Sequence, residues 1–181
     1  MSAFHSDRQN GWKQFRLGGG LNVVVENPNV PAEPQWRVET GGTYSSSPSV
    51  AGDALLFANN DSHVYAIGAG TGKVRWRTLA ANEVMTQPIY EGKTAFVGAG
   101  NSGSTFWGAP FYKLIGAGPS ELLSLDLRDG NILWRVQLPG TGMPTPAFVG
   151  PVLIHGNGAG IVFGVNRADG SYRWEPIFIL T

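Results

Sequence analysis

The chain contains no cysteine. Disulfides, cysteine-ligated metals and thiol nucleophiles are therefore excluded from its chemistry. An excess of either charge is also lacking: 13 Lys and Arg stand against 13 Asp and Glu, and no local basic stripe breaks the balance. Without a net field or a basic patch there is no electrostatic footprint for nucleic acid or for an anionic membrane. No apolar run approaches the ~18 residues of a membrane-spanning helix. The opening MSAFHSDRQNGW has no apolar stretch of secretory type, so export would need a signal outside these residues. Helical periodicity is missing as well; RTLAANEVMTQ allows a single turn at most and reads as a connection. Glycine is plentiful, at 26 residues, and 12 prolines are spread through the chain rather than gathered in one linker. That distribution suits many short strands joined by tight turns.

Three stretches end alike: AIGAGTGKVRW (66–76), SLDLRDGNILW (124–134) and GVNRADGSYRW (164–174). Trp36, Trp76, Trp134 and Trp174 are separated by 40, 58 and 40 residues, so the middle interval is one period plus 18. The outer two units stay in register: Pro48 falls on Pro146, Val50 on Phe148, Gly52 on Gly150 and Gly72 on Gly170. The middle unit joins through Pro88, Tyr90 and Gly92, and after its insertion through Leu123, Leu125 and Gly130. A repeat of about 40 residues with several strand-like pieces per unit predicts β-propeller blades.

In the first unit those pieces are SPSV (47–50), ALLFA (54–58), HVYAI (63–67) and KVRWRT (73–78). The expected fold is all-β, a partial propeller of about three complete blades, each of four antiparallel strands. The blades are expected at 36–76, at 77–134 with an insertion at 101–120, and at 135–174. Residues 1–35 read as an irregular segment with outer-strand pieces, 36–175 as the blades, and 176–181 as a tail. Alternation in the fourth piece places Val74, Trp76 and Thr78 on one face and Lys73, Arg75 and Arg77 on the other. Trp36, Trp76, Trp134 and Trp174 are expected to be buried between neighbouring blades. Gly72, Gly130 and Gly170 are expected to turn hairpins that require positive φ.

These motifs resemble the pyrroloquinoline-quinone-like propeller repeats, whose signature is similar to A-x-D-x-x-T-G-x-x-x-W, the tryptophan-docking motif. AIGAGTGKVRW matches at Ala66, Thr71, Gly72 and Trp76 but has Gly68 in the Asp position; the second stretch keeps it as Asp126 and the third has Asn166. GWKQFR (11–16) resembles the opening of many members, and the likeness covers roughly 11–175. The resemblance implies one of two things. One is a quinone-dependent dehydrogenase, using pyrroloquinoline quinone with Ca²⁺. The other is a non-catalytic propeller such as the lipoprotein that assists β-barrel assembly. It also implies a periplasmic or cell-surface setting and a ring of eight blades. Three units fill less than half of such a ring. The chain is accordingly read as a piece of a longer protein, or as a protomer that closes by pairing its bare blade faces.

Candidate chemistry is sparse. GAGNSG (98–103) has dinucleotide-loop spacing, but STFWGAP after it opens no helix to face a pyrophosphate. EGKT (91–94) lacks the first glycine of a phosphate loop. His5, His63 and His155 fall at no metal-ligand spacing, and no G-x-S-x-G is present. The insertion is the one departure from the repeat, and it carries Phe106, Trp107, Phe111 and Tyr112 in a Gly/Ser/Pro-rich frame. Aromatics on a projecting loop are candidates for ligand or partner contact. Asp61 and Glu83 are expected on the same rim, whereas Asp53 and Glu91 have simple turn roles. No cluster has calcium-loop spacing.

The reading is a non-catalytic scaffold or interaction segment of a bacterial envelope protein, without a cofactor. Its partners are a protein or the remaining blades. The rival readings are a fragment of a quinone-dependent dehydrogenase and a sugar- or peptide-binding module built on the aromatic insertion.

Overall fold

The structure is a computed structural model that describes residues 34–44, 46–100, 105–107, 113–115, 118–142, 144–158, 160–174 and 177–178; at 105–107, 113–115 and 177–178 it describes the backbone alone. Every regular element among them is a strand. The first sheet is a meander of β1 (Ser49–Ala51), β2 (Ala54–Ala58), β3 (His63–Gly68) and β4 (Val74–Leu79). The second contains β5 (Ile89–Glu91), β6 (Thr94–Ala99), β9 (Ser120–Asp126) and β10 (Ile132–Leu138). The third contains β11 (Ala147–Val149), β12 (Val152–Gly156), β13 (Ile161–Asn166) and β14 (Ile177–Phe178). All pairings are antiparallel, and β7 (Thr105–Trp107) with β8 (Lys113–Ile115) forms a separate hairpin within the insertion.

The alternation of each strand serves two neighbours at once. Leu56, Ala58, Val64 and Ala66 of the first sheet meet Ala95, Val97, Leu123 and Leu125 of the second in one buried cluster. The other face of the second sheet sends Phe96 and Leu122 against Leu153, Ile161, Phe163 and Val165 of the third. On the free side of the first sheet, Phe57, Tyr65 and Ile67 are covered by Trp36 and Val38. Burial on both faces explains why β2, β3, β6 and β9 read as nearly continuous apolar runs.

The connections are stapled by a repeated hydrogen bond. Asn60 N donates to Thr43 O at 3.1 Å, Gly100 N to Glu83 O at 2.9 Å and Gly158 N to Thr141 O at 3.0 Å. These are equivalent positions, and they gather the connections at the same edge as the turns after the second strands.

Two local features differ from the strict repeat. A bulge interrupts β3–β4 between the pairs Ala66↔Trp76 and Ile67↔Val74, and another interrupts β9–β10 between Leu125↔Ile132 and Ser124↔Trp134. The extra residue takes Val74 off the face that Trp76 occupies, and Val74 is 46% exposed rather than facing inward with Trp76 and Thr78. In the third sheet the outer ladder makes one bridge at Val165↔Tyr172 and resumes one residue late at Val162↔Ile177. The sequence there holds Pro176, which has no N–H to donate to a ladder. The resumed strand β14 falls in the stretch 176–181, beyond Trp174.

Candidate functional site

The rim that carries the connections also carries Asp61, Glu83 and the base of the insertion. Val84 N donates to Asn59 O at 3.2 Å, bringing the 80–84 connection to the turn that holds Asp61. Asn82 Nδ2 donates to Pro119 O at 3.0 Å and Ser120 Oγ to Ala99 O at 3.0 Å, which anchors the root of the β7–β8 hairpin at this rim. Cross-strand pairing sets Phe106 opposite Leu114 and Trp107 opposite Lys113. The side chains of Phe106 and Trp107, and all of Phe111 and Tyr112, lie outside the described residues.

Asp61 is committed to its own loops. Its carboxylate accepts from Tyr65 Oη at 2.5 Å, from His63 N at 2.9 Å and from Gly41 N at 3.0 Å. Burial pushes this carboxyl up, but the three donors and the neighbouring His63 outweigh it, so its pKa lies below the usual carboxylate value. Burial and the bond to Asp61 push the Tyr65 hydroxyl up to about 12, so it acts as a fixed donor. Asn59 Nδ2 donates to Thr40 Oγ1 at 2.7 Å, and together these bonds tie the strap 40–44 to the turn at 59–61. Asp61 therefore holds two loops together. Glu83 contributes its backbone: the carbonyl accepts from Gly100 and the N–H donates to Asn82 Oδ1 at 2.9 Å.

The two seams between sheets, and the free side of the first sheet where Trp36 sits, carry the other groups singled out by the repeat. Trp36 Nε1 donates to Ala69 O at 2.8 Å, Trp76 Nε1 to Leu127 O at 2.9 Å and Trp134 Nε1 to Arg167 O at 2.9 Å. Each ring lies against the glycine three residues after its acceptor. A Cβ would meet Trp36 at 2.8 Å from Gly72, Trp76 at 2.6 Å from Gly130 and Trp134 at 2.8 Å from Gly170, and all three glycines have φ between 67° and 75°. Glycine is required there twice over, by the left-handed backbone and by the indole. Trp174 differs. Of the four expected to be buried, only Trp76 is; Trp174 is half-buried like Trp36 and Trp134, but its ring lies on Gly164 of its own sheet and its Nε1 is buried without a partner among the described residues.

Other seam groups are not singled out by the sequence motifs. His155 is 1% exposed, neither ring nitrogen has a partner among the described residues, and burial lowers its pKa to about 4, so it is neutral. Its ring fills the space left by Gly98, where a Cβ would lie 2.8 Å from Cε1. The signal in the sequence is a size exchange: Gly98 takes the place of Ala58, and His155 the place of Val97 and Phe57. Glu121, 4% exposed, accepts from Ala81 N at 2.6 Å and faces Arg135 at 3.6 Å. Near the inner strands Gln87 Nε2 donates to Ser49 Oγ at 2.9 Å and Gln87 N to Thr145 Oγ1 at 3.1 Å, linking all three sheets. Asp53 pairs with Arg75 at 2.6 Å, and Glu91 pairs with Arg167, whose guanidinium stands 5.2 Å over the Phe148 ring.

Among the described residues no group of three His, Asp or Glu side chains is placed to hold a metal ion. Asp61, the best-placed acid on the rim, already has three donors.

Four-stranded meanders stacked face to face and joined by tryptophan-on-glycine contacts define a partial β-propeller of the pyrroloquinoline-quinone-like repeat class. A family profile described as the outer membrane protein assembly factor BamB matches residues 29–176, and the chain belongs to this family. It is 29% identical over 137 residues to the tetrathionate hydrolase of Acidithiobacillus ferrooxidans, covering 71% of this chain and 28% of the hydrolase. With the BamB of Yersinia pestis it shares 28% identity over 156 residues, covering 83% of this chain and 37% of that protein. The chain thus spans about a third of the length of these relatives. A europium-containing methanol dehydrogenase has the same fold at a TM-score of 0.59 and 16% identity, covering 77% of this chain and 26% of the enzyme. No helix among the described residues is long and apolar enough to cross a membrane, which says nothing about strands.

Proposed function

We propose that this chain is a non-catalytic propeller segment that serves as a scaffold and protein-interaction surface in a bacterial envelope assembly system. The observation that carries the reading is the β7–β8 hairpin: it interrupts the repeat, the residues after it are bonded at the rim, and β7 carries Phe106 and Trp107. Asp61, on the same rim, is engaged in loop stapling rather than presented to a ligand. Membership of the assembly-factor family supports a protein partner and a periplasmic or cell-surface setting. Phe106, Trp107, Phe111 and Tyr112 are the proposed contact residues.

The rival is a quinone-dependent dehydrogenase, favoured by the fold it shares with the methanol dehydrogenase. The two readings separate in the longest natural form of the protein. Replacing residues 105–115 by a short Gly-Ser turn is expected to lower the yield of assembled outer membrane β-barrels while leaving the melting temperature within about 2 °C. Dye reduction with an alcohol or a sugar, after addition of pyrroloquinoline quinone and Ca²⁺, overturns the scaffold reading.

A further inference from the structure

The two seams are built on the same repeat positions and differ in polarity at three of them. In the first seam Ala58 and Ala66 of the first sheet and Val97 of the second are fully buried in one apolar cluster. At the matching positions, 40 or 58 residues on, the second seam has Gly98, Ser124 and His155. Ser124 is 0% exposed and His155 1%, and a Cβ on Gly98 would stand 2.8 Å from Cε1 of the His155 ring. Ser124 Oγ and both His155 nitrogens have no partner among the described residues. Buried polar atoms are seldom left so, and an imidazolium there would cost far more than the neutral ring.

The charged groups around this seam stand away from His155. Glu91 and Asp126 both pair with Thr94, four residues along β6 from Gly98, a separation of about 13 Å, and Arg167 is engaged with Glu91 at that end. Glu121 and Arg135 belong to the other face of the second sheet. The connections 80–88 and 139–146 contain one ionisable residue, Glu83, whose backbone carbonyl accepts from Gly100 N at 2.9 Å. On the third sheet, Leu153, Ile161, Phe163 and Val165 line the seam beside His155, and none of them is ionisable. Burial alone accounts for the lowered pKa of His155, with no charge opposing it.

We propose that the second seam is an acid-opened joint: protonation of His155 raises the population in which the third sheet has parted from the second, while the first seam stays closed. Residues 139–146, with Gly140 and Gly142, form the hinge, and parting lets water reach the charged ring. The direction follows from linkage. In the parted form His155 takes a proton at the ordinary 6.5, whereas the closed seam resists protonation down to about 4, so opening gains as pH falls below 6.5. Between pH 7.5 and 4.5 that difference multiplies the open population by roughly fifty- to a hundredfold.

Because the chain has no cysteine, a single introduced thiol reads each seam. Val165 fills the second seam and Val64 the first, and both are 0% exposed. Val165→Cys and Val64→Cys are labelled with 4,4′-dithiodipyridine, which reacts in acid, and each rate is divided by that of the same thiol in urea. Where the rate scales with reagent, labelling tracks the open population. From pH 7.5 to 4.5 Val165→Cys is expected to gain about fifty- to a hundredfold, and Val64→Cys less than about fivefold. His155→Phe carries the ring that the first blade has as Phe57 and has no proton to gain, so it is expected to abolish the difference. His155→Leu replaces it if far-ultraviolet circular dichroism shows that His155→Phe does not fold. Carboxylates titrate alike with and without His155, which leaves the ratio of the two rates as the readout. The joint is overturned by no gain at Val165→Cys, by a gain that survives the loss of His155, or by an equal gain at Val64→Cys.

Discussion

The indole of Trp76 lies on Gly130 across the first closed seam, and its Nε1 donates to Leu127 O at 2.9 Å. The ring therefore spends its whole surface between two blades, 8% exposed, in contact with the cluster that contains Leu123 and Leu125. Trp174 has the same chemistry and, among the described residues, no second blade against it. Trp76→Ala is expected to lower stability by about 3–5 kcal/mol, the range for truncating a buried large aromatic. Trp174→Ala is expected to lower it by under about 1 kcal/mol, because no blade among the described residues covers its face. Urea denaturation of the two variants measures the difference, and equal losses would show that Trp174 is already docked.

The glycine side of the contact can be tested against an internal control. Gly52 and Gly130 both have positive φ, 62° and 75°, but a Cβ at Gly52 meets nothing within 4 Å whereas one at Gly130 meets Trp76 at 2.6 Å. Gly52→Ala carries the left-handed strain alone, about 1–2 kcal/mol. Gly130→Ala adds overpacking, about 1–3 kcal/mol more. The gap between the two midpoints isolates the docking contact from the turn.

The blades were legible because their punctuation is chemical. Pro48, Pro88 and Pro146 precede the inner strands, Gly72, Gly130 and Gly170 turn the last hairpins, and each role depends on the residue itself rather than on a distant partner. What stayed hidden depends on pairs. A bulge leaves the written alternation Val74-x-Trp76 intact while changing which face Val74 meets, so only the ladder reveals it. The fit of His155 into the space at Gly98 joins residues 57 apart in different blades, and nothing local to either announces it. On the rim, Asp61 read as an acid available to a ligand because nothing local announces that Gly41 and Tyr65 will both donate to it. Trp174 matches its repeat in full, yet its Nε1 has no partner among the described residues.

The staple at Asp61 predicts local rather than global loosening. Tyr65→Phe removes the 2.5 Å donor and leaves Phe57 its aromatic stacking partner, 5.1 Å away. Loss of one bond to a charged acceptor is worth about 1.5–3 kcal/mol, less where water can replace it. Hydrogen exchange at the Gly41 amide should quicken more than at Leu123 in the core. Because the Asp61 carboxyl is held below its usual value, its stabilising share is present above the ordinary carboxylate range. That share disappears as pH falls through the folded value. Acid should therefore free the strap 40–44 in the parent and change little further in Asp61→Asn. Unchanged Gly41 exchange in Tyr65→Phe would remove the staple from the account.

His155 predicts a second, separate acid dependence with a defined window. Its ring is buried in the seam between the second and third sheets, both nitrogens lack partners among the described residues, and burial lowers its pKa from the ordinary 6.5 to about 4. The unfolded chain takes up a proton at 6.5 that the folded chain resists, so protons favour unfolding below that pH. Stability from this group is complete above pH 6.5 and declines as pH falls toward 4, by about 3 kcal/mol at 1.36 kcal/mol for each unit. His155→Leu keeps an apolar group against Gly98 and carries no titratable proton. Carboxylates titrate in both proteins over the lower part of this range, so the informative quantity is the difference between the two stability curves. Parent and variant should run parallel above pH 7 and diverge between pH 6.5 and 4, with the parent losing more. Parallel curves throughout would mean that His155 gains a proton acceptor or water on protonation and that the seam opens to admit it.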